Sequence, residues 1–262
     1  MILDLFRLDG KVAIVTGAGR GIGAASAIAL AECGCDVIIS SRTTSDLDQV
    51  AAAVRALGRR ASVAALDMSD LAAVDTLAAI AREEYGRVDV VVNNVGGAIP
   101  LPFFDTTPEY LEESFHFNVS TAHALNLVTV PLMLEGGGGS IINISSVMGR
   151  VSGRGYSAYG SAKAALSHYT RLVAHDLSPR IRVNAIAAGA TATSALEFVT
   201  QTPELKQMME DLTPLHRIAS PQEIAAGVVY LASPAGAFLT GKVLEIDGGT
   251  DAPSLDFNIP DL

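Results

Sequence analysis

Three side chains near the middle of the chain have types and spacing suited to proton transfer at a carbonyl or hydroxyl group. Tyr159 and Lys163 are four residues apart in YGSAK, so they share one face of any helix that contains them. A free tyrosine titrates near pH ~10, but a neighbouring ammonium group stabilises the phenolate and lowers that pKa. Such a tyrosine can exchange a proton with a substrate near neutral pH. The spacing is common on helices, so the pair alone identifies no reaction.

The third side chain is a serine hydroxyl thirteen residues before the tyrosine. Ser146 ends an apolar run that predicts a strand, and the carboxyl ends of parallel strands line the ligand crevice of such folds. Its hydroxyl can hydrogen-bond a substrate carbonyl and stabilise developing negative charge. Side chains alternate along a strand, so we expect Ser145 to face the other way. Ordinary capping of the strand is the alternative interpretation for either serine.

A glycine-rich segment, TGAGRGIG at 16–23, has the composition of a phosphate-binding loop. It follows an apolar strand and opens an Ala-rich helix, which is the context that a dinucleotide-binding loop requires. Glycines let the backbone approach a pyrophosphate, and the free N–H groups at the helix start bind the anion. We therefore predict cofactor contacts from Gly17, Gly19, Arg20, Gly21, Ile22 and Gly23.

The end of the second predicted strand distinguishes NAD from NADP. An acidic residue there would hydrogen-bond the ribose 2′-hydroxyl and repel a 2′-phosphate, but the sequence reads ISSRT at 39–43. Ser41 and Arg42 occupy that position, and Arg20 adds a second guanidinium from the glycine loop. Guanidinium groups bind phosphate through paired hydrogen bonds. These residues predict NADP(H) as the cofactor, with two solvated surface arginines as the alternative.

The order and spacing of these motifs resemble the short-chain dehydrogenase/reductase family over about residues 5–249. The pieces that carry the resemblance are TGAGRGIG from Thr16, Asp67, NNVG from Asn93, Asn118 in FNVS, Ser146, YGSAK from Tyr159 and the closing Asp247-Gly248-Gly249. Two positions depart from the family pattern. Val95 replaces the usual Ala, and Ala188 replaces the usual Pro before Gly189. Loss of Pro loosens φ in the loop that is expected to position the nicotinamide carboxamide.

The resemblance implies catalytic roles for four residues. Tyr159 is expected to be the general acid/base, and Lys163 to lower its pKa and bind the nicotinamide ribose. Ser146 is expected to orient the substrate carbonyl, while Asn118 supports a water and proton relay. Hydride would pass between nicotinamide C4 and the carbonyl carbon.

The resemblance also implies further cofactor contacts. Asp67 and Met68 are expected to contact the adenine, and Asn93 to stabilise the central strand beside the cofactor. The remaining implied cofactor contacts are Val95, Gly96, Tyr159, Lys163, Gly189, Thr191 and Thr193. The family commonly forms tetramers, so a homo-oligomer is implied as well.

The substrate is less constrained. NNVGG and the stretch 108–134 are similar to hydroxysteroid dehydrogenases, including the 7α type that acts on bile acids. A 3-oxoacyl-carrier-protein reductase is the alternative, but it must dock an acidic carrier, and this chain offers only Arg150 and Arg154 beside Ser146. A cofactor-sensing protein without turnover is a rival of another class. Such family members usually lack the tyrosine or the lysine, and both are present here.

Several other side chains have two interpretations. Tyr156 is expected to form a pocket wall rather than to act as the base, because Gly160 stands four residues after it. Phe103, Phe104 and Phe198 either line the substrate site or lie in the core. No metal site is predicted, since no ligand spacing involves His116, His123 or His168.

These residues must be positioned by an α/β fold. Apolar runs predict strands at 11–16, 36–40, 62–66, 88–92, 140–144, 181–187 and 243–246, and Ala-rich stretches predict helices at 20–33, 45–57, 70–85, 108–134, 157–177 and 221–231. Strands that are apolar throughout are buried on both faces, which favours a parallel sheet. We predict a Rossmann-like, doubly wound, seven-stranded parallel sheet flanked by helices, in one dinucleotide-binding and catalytic domain (1–262). The segment 190–215 is either a mobile substrate lid or a plain surface excursion.

Bulk composition excludes several classes of protein. With 262 residues and 49% hydrophobic residues, the chain is expected to bury a substantial core. The formal net charge of −10 and the absence of a basic run argue against nucleic-acid binding. No apolar run reaches the ~20 residues of a membrane span, and the start lacks the pattern of a signal peptide. Cys33 and Cys35 are too close for an ordinary disulfide, so we expect a cytoplasmic protein.

Overall fold

The structure, a computed structural model, describes residues 1–255 and residue 259. Seven parallel strands in this part form one sheet in the order β3-β2-β1-β4-β5-β6-β7. The strands are β1 (Val12–Thr16), β2 (Asp36–Ser41), β3 (Ala61–Ala65), β4 (Val90–Asn93), β5 (Gly139–Ser146), β6 (Ile181–Ala188) and β7 (Val243–Ile246). The strand order reverses between β1 and β4, so a ligand crevice is expected at their carboxyl ends.

Helices cover both faces of the sheet. They are α1 (Gly21–Glu32), α2 (Thr44–Ala56), α3 (Asp75–Ile80), α4 (Pro108–Phe115), α5 (Thr121–Glu135), α6 (Ser157–Leu177), α7 (Glu197–Gln201), α8 (Pro203–Asp211) and α9 (Pro221–Ala232). Helices α1, α2 and α9 pack on one face, and α3, α5 and α6 on the other. The predicted doubly wound α/β fold is confirmed.

The sheet divides the core into two apolar clusters. Ala13 and Val15 of β1 enter one cluster, whereas Val12 and Ile14 enter the other, because successive side chains of a strand point to opposite faces. All four are buried. Burial on both faces explains why the strands read as continuous apolar runs rather than as alternating patterns.

Two predicted helices differ from regular α-helices. The helix predicted at 70–85 begins with a 3₁₀ turn, Leu71–Val74, and ends in a π-helical turn, Ala81–Tyr85. The stretch predicted at 108–134 contains a π-helical turn, His116–Ser120, between α4 and α5. A π turn inserts a residue into the helical ladder and occurs often at functional sites. Periodicity alone did not reveal either irregularity.

Two strands differ in length from the prediction. Strand β5 is longer at its carboxyl end than predicted and includes Ser146 itself. Strand β4 begins at Val90 rather than at residue 88. Asp89 precedes it, and its carboxylate accepts hydrogen bonds from Lys11 Nζ (3.0 Å) and the Val12 amide (3.0 Å) instead of pointing into an apolar layer.

The segment 190–215 folds into two short helices, α7 and α8, after a bridge between Thr191 and Ala219. Val199 and Met209 from these helices bury their side chains against Leu255 near the end of the described chain. The segment therefore has a small apolar cluster of its own. Its movement as a lid remains a prediction.

One helical stretch passes a membrane-span test by length and composition. Pro108–Glu135 has 28 residues and a mean hydropathy of 1.2 in its most apolar window, but half of that window is buried inside the molecule. Leu125, Leu132 and Met133 in this stretch belong to one of the two core clusters. Burial against a sheet is typical of a core helix.

Candidate active site

A cavity of about 540 Å³ lies at the carboxyl edge of the sheet. Most predicted site residues line it, namely Gly17, Gly19, Arg20, Gly21, Ile22, Ser41, Arg42, Asp67, Met68, Val95, Gly96, Ser146, Tyr159, Lys163, Gly189, Thr191 and Thr193. Gly23, Asn93 and Asn118 do not reach its surface. The structure therefore brings together residues that are up to 176 positions apart in sequence, from Gly17 to Thr193.

The glycine loop has the geometry expected of a phosphate cradle. A Cβ atom on Gly23 would lie 2.2 Å from the Gly17 carbonyl oxygen, so only glycine allows this approach of helix to loop. Helix α1 begins at Gly21 and has no side-chain cap at its N-terminus, which leaves its first N–H groups for an anion. These features fit the pyrophosphate of a dinucleotide.

Asn94 holds this loop, although we assigned it no role from the sequence. Its Nδ2 donates to the carbonyl oxygens of Thr16 (3.0 Å) and Gly17 (3.2 Å). The hydroxyl of Thr16 in turn accepts from the amides of Asn94 (3.1 Å) and Val95 (3.2 Å). The ends of β1 and β4 are thereby joined on either side of the crevice. The two adjacent asparagines of NNVG were the sequence feature that could have indicated this role of Asn94.

The adenine end of the cavity carries both signs of charge. Arg20 and Arg42 are exposed and line it, together with Ser41, Asp46 and Asp67. Hydrogen bonds from the amide and hydroxyl of Ser69 lower the pKa of Asp67, and the nearby Arg42 guanidinium adds to that effect. Both arginines line this part of the cavity, and the binding of a 2′-phosphate by them stays a prediction.

Tyr159 and Lys163 lie on the first turns of α6 and face the cavity. The Lys163 ammonium is 5.8 Å from the centroid of the Tyr159 ring and donates to the Ile144 carbonyl oxygen at 2.9 Å. Only 3% of Lys163 is exposed, and this burial lowers its pKa to about 8. A buried lysine with so low a pKa can give up and regain a proton near neutral pH.

The pKa of Tyr159 lies above its usual value, opposite to the expected direction. Burial raises it, and a hydrogen bond with Ser146 lowers it in part. The Lys163 ammonium does not reverse the shift, because it is directed at the Ile144 carbonyl and lies several ångströms from the ring. The lowering of the Tyr159 pKa by Lys163 therefore stays a prediction.

Ser146 and Ser145 point in opposite directions, as strand alternation predicts. Ser146 Oγ accepts a hydrogen bond from the Met148 amide at 3.1 Å and lines the cavity together with Tyr159. Ser145 Oγ donates to the Lys163 carbonyl oxygen at 3.0 Å and is 2.8 Å from Ser167 Oγ. Ser146 therefore faces the cavity, while Ser145 joins α6 to β5 through its hydrogen bonds.

Asn118 lies in the π-helical turn and is fully buried. Its Nδ2 donates to the carbonyls of Gly97 (3.0 Å) and Ser114 (2.8 Å), and its Oδ1 accepts from the Gly97 amide at 2.9 Å. A Cβ on Gly96 would lie 2.6 Å from Asn118 Oδ1 and 2.7 Å from Lys163 Nζ. The backbone at Gly96 thus separates these two side chains and requires glycine.

Asn93 acts inside the fold rather than at the cavity wall. Its Nδ2 donates to the Oδ1 atoms of Asn126 (3.1 Å) and Asn143 (2.8 Å), and Asn143 Nδ2 donates to Thr170 Oγ1 at 2.8 Å. This buried network links β4 and β5 to α5 and α6, so it stabilises the central strands as expected. The sequence analysis did not single out Asn126 or Asn143. Asn143 lies inside the apolar run SIINIS, and an amide in such a run could have indicated a buried polar contact.

The loop after β6 is supported without the usual proline. Ala188 pairs with Ile246 across the sheet, and the Gly189 amide donates to the Ile246 carbonyl at 2.9 Å. Thr191 Oγ1 then donates to the Gly189 carbonyl at 3.0 Å. Strand pairing thereby restricts the backbone where proline would have restricted φ.

Arg150 joins two segments at the same edge and was not predicted to do so. Its guanidinium donates to the Thr250 carbonyl (2.6 Å) and to Asp247 Oδ2 (3.2 Å). Salt bridges to Glu245 (3.3 Å) and Asp251 (3.4 Å) complete the cluster. The segment after Ser146 is thereby tied to the segment after β7, next to the Gly189 loop.

The aromatic residues with two interpretations are not in the core. Phe103, Phe104 and Phe198 are 71%, 77% and 70% exposed. The Tyr156 ring lies 6.4 Å from the Tyr159 ring, and burial raises the pKa of Tyr156 to about 12. Tyr156 is therefore a poor base and serves as a wall of the cavity.

Among residues 1–255 and 259, no cluster of three or more His, Cys, Asp or Glu is suited to a metal.

This geometry has counterparts in known proteins. A family profile described as enoyl-(acyl carrier protein) reductase matches residues 17–251. The chain is 59% identical over 263 residues to an uncharacterised oxidoreductase of Mycobacterium tuberculosis, with both chains fully covered. It is 38% identical over 247 residues to the 7α-hydroxysteroid dehydrogenase of Escherichia coli, with 94% of this chain and 96% of that enzyme covered.

A solved structure shows the same architecture. A 7α-hydroxysteroid dehydrogenase complexed with NADH and 7-oxo glycochenodeoxycholic acid superposes with a TM-score of 0.92 at 38% identity. The match covers 97% of this chain and 99% of that one. From the fold, the matched profile and these relatives, we conclude that the chain belongs to the short-chain dehydrogenase/reductase family of oxidoreductases.

Proposed function

We propose that this oxidoreductase depends on NADP(H) and interconverts a carbonyl and a secondary alcohol, with Tyr159 as its general acid/base. The observation that carries the proposal is that Ser146, Tyr159 and Lys163 line one cavity, with the buried Lys163 ammonium 5.8 Å from the centroid of the tyrosine ring. A bound nicotinamide supplies or accepts the hydride. The remaining chemistry belongs to side chains of this chain.

Each catalytic side chain has a distinct task in this proposal. Ser146 donates a hydrogen bond to the substrate oxygen and stabilises its developing charge. Tyr159 gives a proton to that oxygen in reduction and takes it back in oxidation. Lys163, whose pKa burial lowers to about 8, stabilises the phenolate and binds the ribose hydroxyls. Asn118 holds the backbone at Gly97 through a hydrogen bond.

The preference for NADP(H) rests on Arg20, Ser41 and Arg42 at the adenine end of the cavity. The related 7α-hydroxysteroid dehydrogenase was solved with NADH, so the shared fold alone does not decide the cofactor. Guanidinium groups bind a phosphate in preference to a hydroxyl. We expect kcat/KM to be higher with NADPH than with NADH.

The matched test is Arg42→Ala assayed with both cofactors. Loss of a charge-assisted phosphate contact is worth about 1.5–3 kcal/mol, which predicts a KM for NADPH raised by about ten- to hundredfold. The KM for NADH should change little. A higher kcat/KM with NADH in the unaltered protein would contradict the cofactor proposal.

For the substrate, we propose a hydroxysteroid and its ketone. The 7α-hydroxysteroid dehydrogenase relatives support this class. A 3-oxoacyl thioester is the second candidate, because a 3-oxoacyl-[acyl-carrier-protein] reductase of Synechocystis is 34% identical over 245 residues. Arg150, one of two cations near the entrance that could dock an acidic carrier, is occupied by Glu245, Asp247 and Asp251. That arrangement favours the steroid.

The direct experiment follows NADPH oxidation with a panel of ketosteroids, acetoacetyl thioesters, small sugars and quinones. Turnover of ketosteroids supports the proposed substrate, and preference for acetoacetyl thioesters would replace it with the second candidate. If the protein binds NADPH but does not oxidise it with any carbonyl compound of the panel, it would instead be a cofactor sensor. The intact Tyr159 and Lys163 argue against that class.

We also propose a homotetramer in the cytoplasm. Leu111 and Phe115 on α4, Leu127 on α5 and Leu172 on α6 are exposed apolar side chains on neighbouring helices. Apolar patches of this kind are typical of subunit interfaces. Light scattering of the purified protein at several concentrations measures the mass directly, and a monomer at all of them would contradict this part of the proposal.

A further inference from the structure

The loop after β3, residues 66–70, carries the carboxylate that is expected to contact the adenine. Asp67 in this loop lines the cavity, and its side chain is exposed. An exposed carboxylate can adopt several conformations, and a ligand that needs one of them binds more weakly unless the protein orders the group beforehand. The contacts that hold this loop therefore bear directly on cofactor affinity.

Ser69 orders the carboxylate from within the loop. Its amide (3.0 Å) and its hydroxyl (2.7 Å) both donate hydrogen bonds to Asp67 Oδ1. An ionised carboxylate accepts hydrogen bonds at both oxygens, so Oδ2 is the acceptor that we assign to the exocyclic amino group of adenine. The position of Ser69 therefore sets the orientation of Asp67.

His116 holds Ser69 from a different element. Its Nε2 lies 2.8 Å from the Ser69 carbonyl oxygen, and the two residues are 47 positions apart. A carbonyl oxygen only accepts hydrogen bonds, so Nε2 carries the proton and donates it to this bond. The contact fixes the outer side of the loop, whereas Met68, 3% exposed, anchors the inner side in one of the core clusters.

The histidine belongs to the π-helical turn His116–Ser120, and its neighbours in that turn also face the carboxyl edge of the sheet. Phe117 lines the cavity, and Asn118 hydrogen-bonds the backbone of Gly97. The turn therefore contacts the loops after β3 and β4, both of which border the cavity. His116 itself does not line the cavity, so any effect on the cofactor must pass through Ser69.

We propose that His116 is a positioning residue for the cofactor, which holds Ser69 so that the Asp67 carboxylate meets the adenine amino group. The inference rests on the proposed use of a nicotinamide cofactor and on the predicted contact of Asp67 with its adenine. It applies to NADPH and NADH alike, because both carry the same adenine. It concerns cofactor affinity and leaves the proton transfer at Tyr159 unchanged.

Calorimetric titration of His116→Ala with NADPH and with NADH tests the proposal without turnover. Loss of one hydrogen bond predicts a dissociation constant about three- to tenfold higher for both cofactors, with kcat at saturating cofactor unchanged. His116→Gln places an amide donor near the position of Nε2 and should restore most of the affinity. His123→Ala is the matched control and should bind as the unaltered protein does, because His123 on α5 hydrogen-bonds Tyr169 Oη at 2.9 Å but lies outside the cavity.

A double-variant cycle tests whether His116 acts through Asp67. Asp67→Ala alone should raise the dissociation constant, and adding His116→Ala to it should raise the constant further by less than about twofold. Additive effects, an unchanged constant in His116→Ala, or no recovery in His116→Gln would overturn the inference. An unchanged constant in Asp67→Ala would also overturn it, by removing the predicted adenine contact. Failure of the proposed function appears separately, as absence of carbonyl reduction or as a higher kcat/KM with NADH, and neither result alters these ratios of dissociation constants.

Discussion

At the scale of single residues, Lys163 is the side chain in which function and stability conflict most clearly. It is almost fully buried, and burial lowers its pKa from 10.5 to about 8. At neutral pH the folded protein therefore holds a cation that would be better solvated in the unfolded chain. Such costs are common at functional sites, where a perturbed pKa is part of the chemistry.

This conflict predicts a pH-dependent gain in stability for Lys163→Met. Below pH 8 both states are protonated, and the native state carries the full cost of the buried charge. Between pH 8 and 10.5 the unfolded state holds the proton and the native state does not, so the stability of the unaltered protein rises with pH. The variant should be more stable near pH 7 by about 1–3 kcal/mol, and the gain should shrink through this range.

Urea denaturation from pH 6 to 10.5 measures the effect. Lys242→Met, at an exposed position, is the control and should show no such trend. A Lys163→Met protein that is less stable at pH 7, or whose gain grows with pH, would contradict the assignment. Activity should be lost in the variant throughout.

Ser114 provides a second test at this scale. It is 3% exposed, and its hydroxyl is a buried side-chain oxygen without a hydrogen-bond partner in the described structure. An unpaired buried hydroxyl costs about 1–3 kcal/mol, so Ser114→Ala should raise the free energy of unfolding by about 1 kcal/mol. Ser26, also buried in a helix, donates to the Ile22 carbonyl at 2.7 Å. Ser26→Ala should therefore lower the free energy of unfolding. Equal changes in the two variants would refute the argument.

Sequence motifs predicted which residues form the site better than they predicted the pKa values of those residues. Tyr159, Lys163 and Ser146 were predicted from spacing and resemblance, and the fold gathers them at one cavity. Burial raises the pKa of Tyr159, an effect that the Tyr–Lys spacing does not indicate because burial depends on the surrounding fold. Asn118 was assigned a relay, but the bonds that hold it involve Gly97, which no local pattern indicates.

At the scale of elements, apolar runs and start signals predicted most of the architecture. The bounds predicted for α6 and β7 match those observed, and α9 begins after Ser220 with the capping box Ser220–Glu223. The π-helical turn at His116–Ser120 was not predicted, because the hydrogen bonds of Asn118 with the Gly97 loop lie outside any local pattern. Propensity and periodicity describe a segment alone, whereas such turns are imposed by tertiary packing.

The Arg150 cluster belongs to this scale, because we expect it to position loops rather than to contact the substrate. We expect Arg150→Ala to lower kcat about tenfold, because small displacements of Ser146 and the Gly189 loop misalign the reacting groups. The dissociation constant for NADPH should change by a smaller factor than kcat, because the glycine loop, which is expected to bind the pyrophosphate, lies elsewhere. The bridging groups are partly exposed, so the loss of stability should be about 1 kcal/mol or less.

Steady-state kinetics and cofactor titration check this expectation. Arg150→Lys keeps the charge and one donor, so it should recover part of kcat. A purely structural role would instead appear as a lower denaturation midpoint with kcat per folded molecule unchanged. That outcome would remove Arg150 from the set of positioning residues.

At the scale of the whole molecule, the strand order follows from the alternation of strands and helices. Right-handed crossovers with helices on both faces leave few topologies, and the observed order is one of them. The link between Arg150 and Asp247, 97 positions apart, was beyond sequence reasoning because no motif connects them. The same holds for Leu255, which packs against the segment 190–215.

The chain's net charge also acts at this scale. A formal charge of −10 would repel an anionic cofactor, so binding requires positive charge concentrated at one place. We propose that the exposed Arg20 and Arg42, which line the cavity, supply it together with the amides at the start of α1.

The central claim, that Tyr159 transfers the proton in an oxidoreductase reaction, is tested most directly by Tyr159→Phe. The variant keeps the ring and removes only the hydroxyl, so NADPH binding should be unchanged. With the best ketone from the panel, kcat should fall by about 10²–10⁴-fold, the usual worth of a general acid/base. Full turnover by Tyr159→Phe would contradict the account.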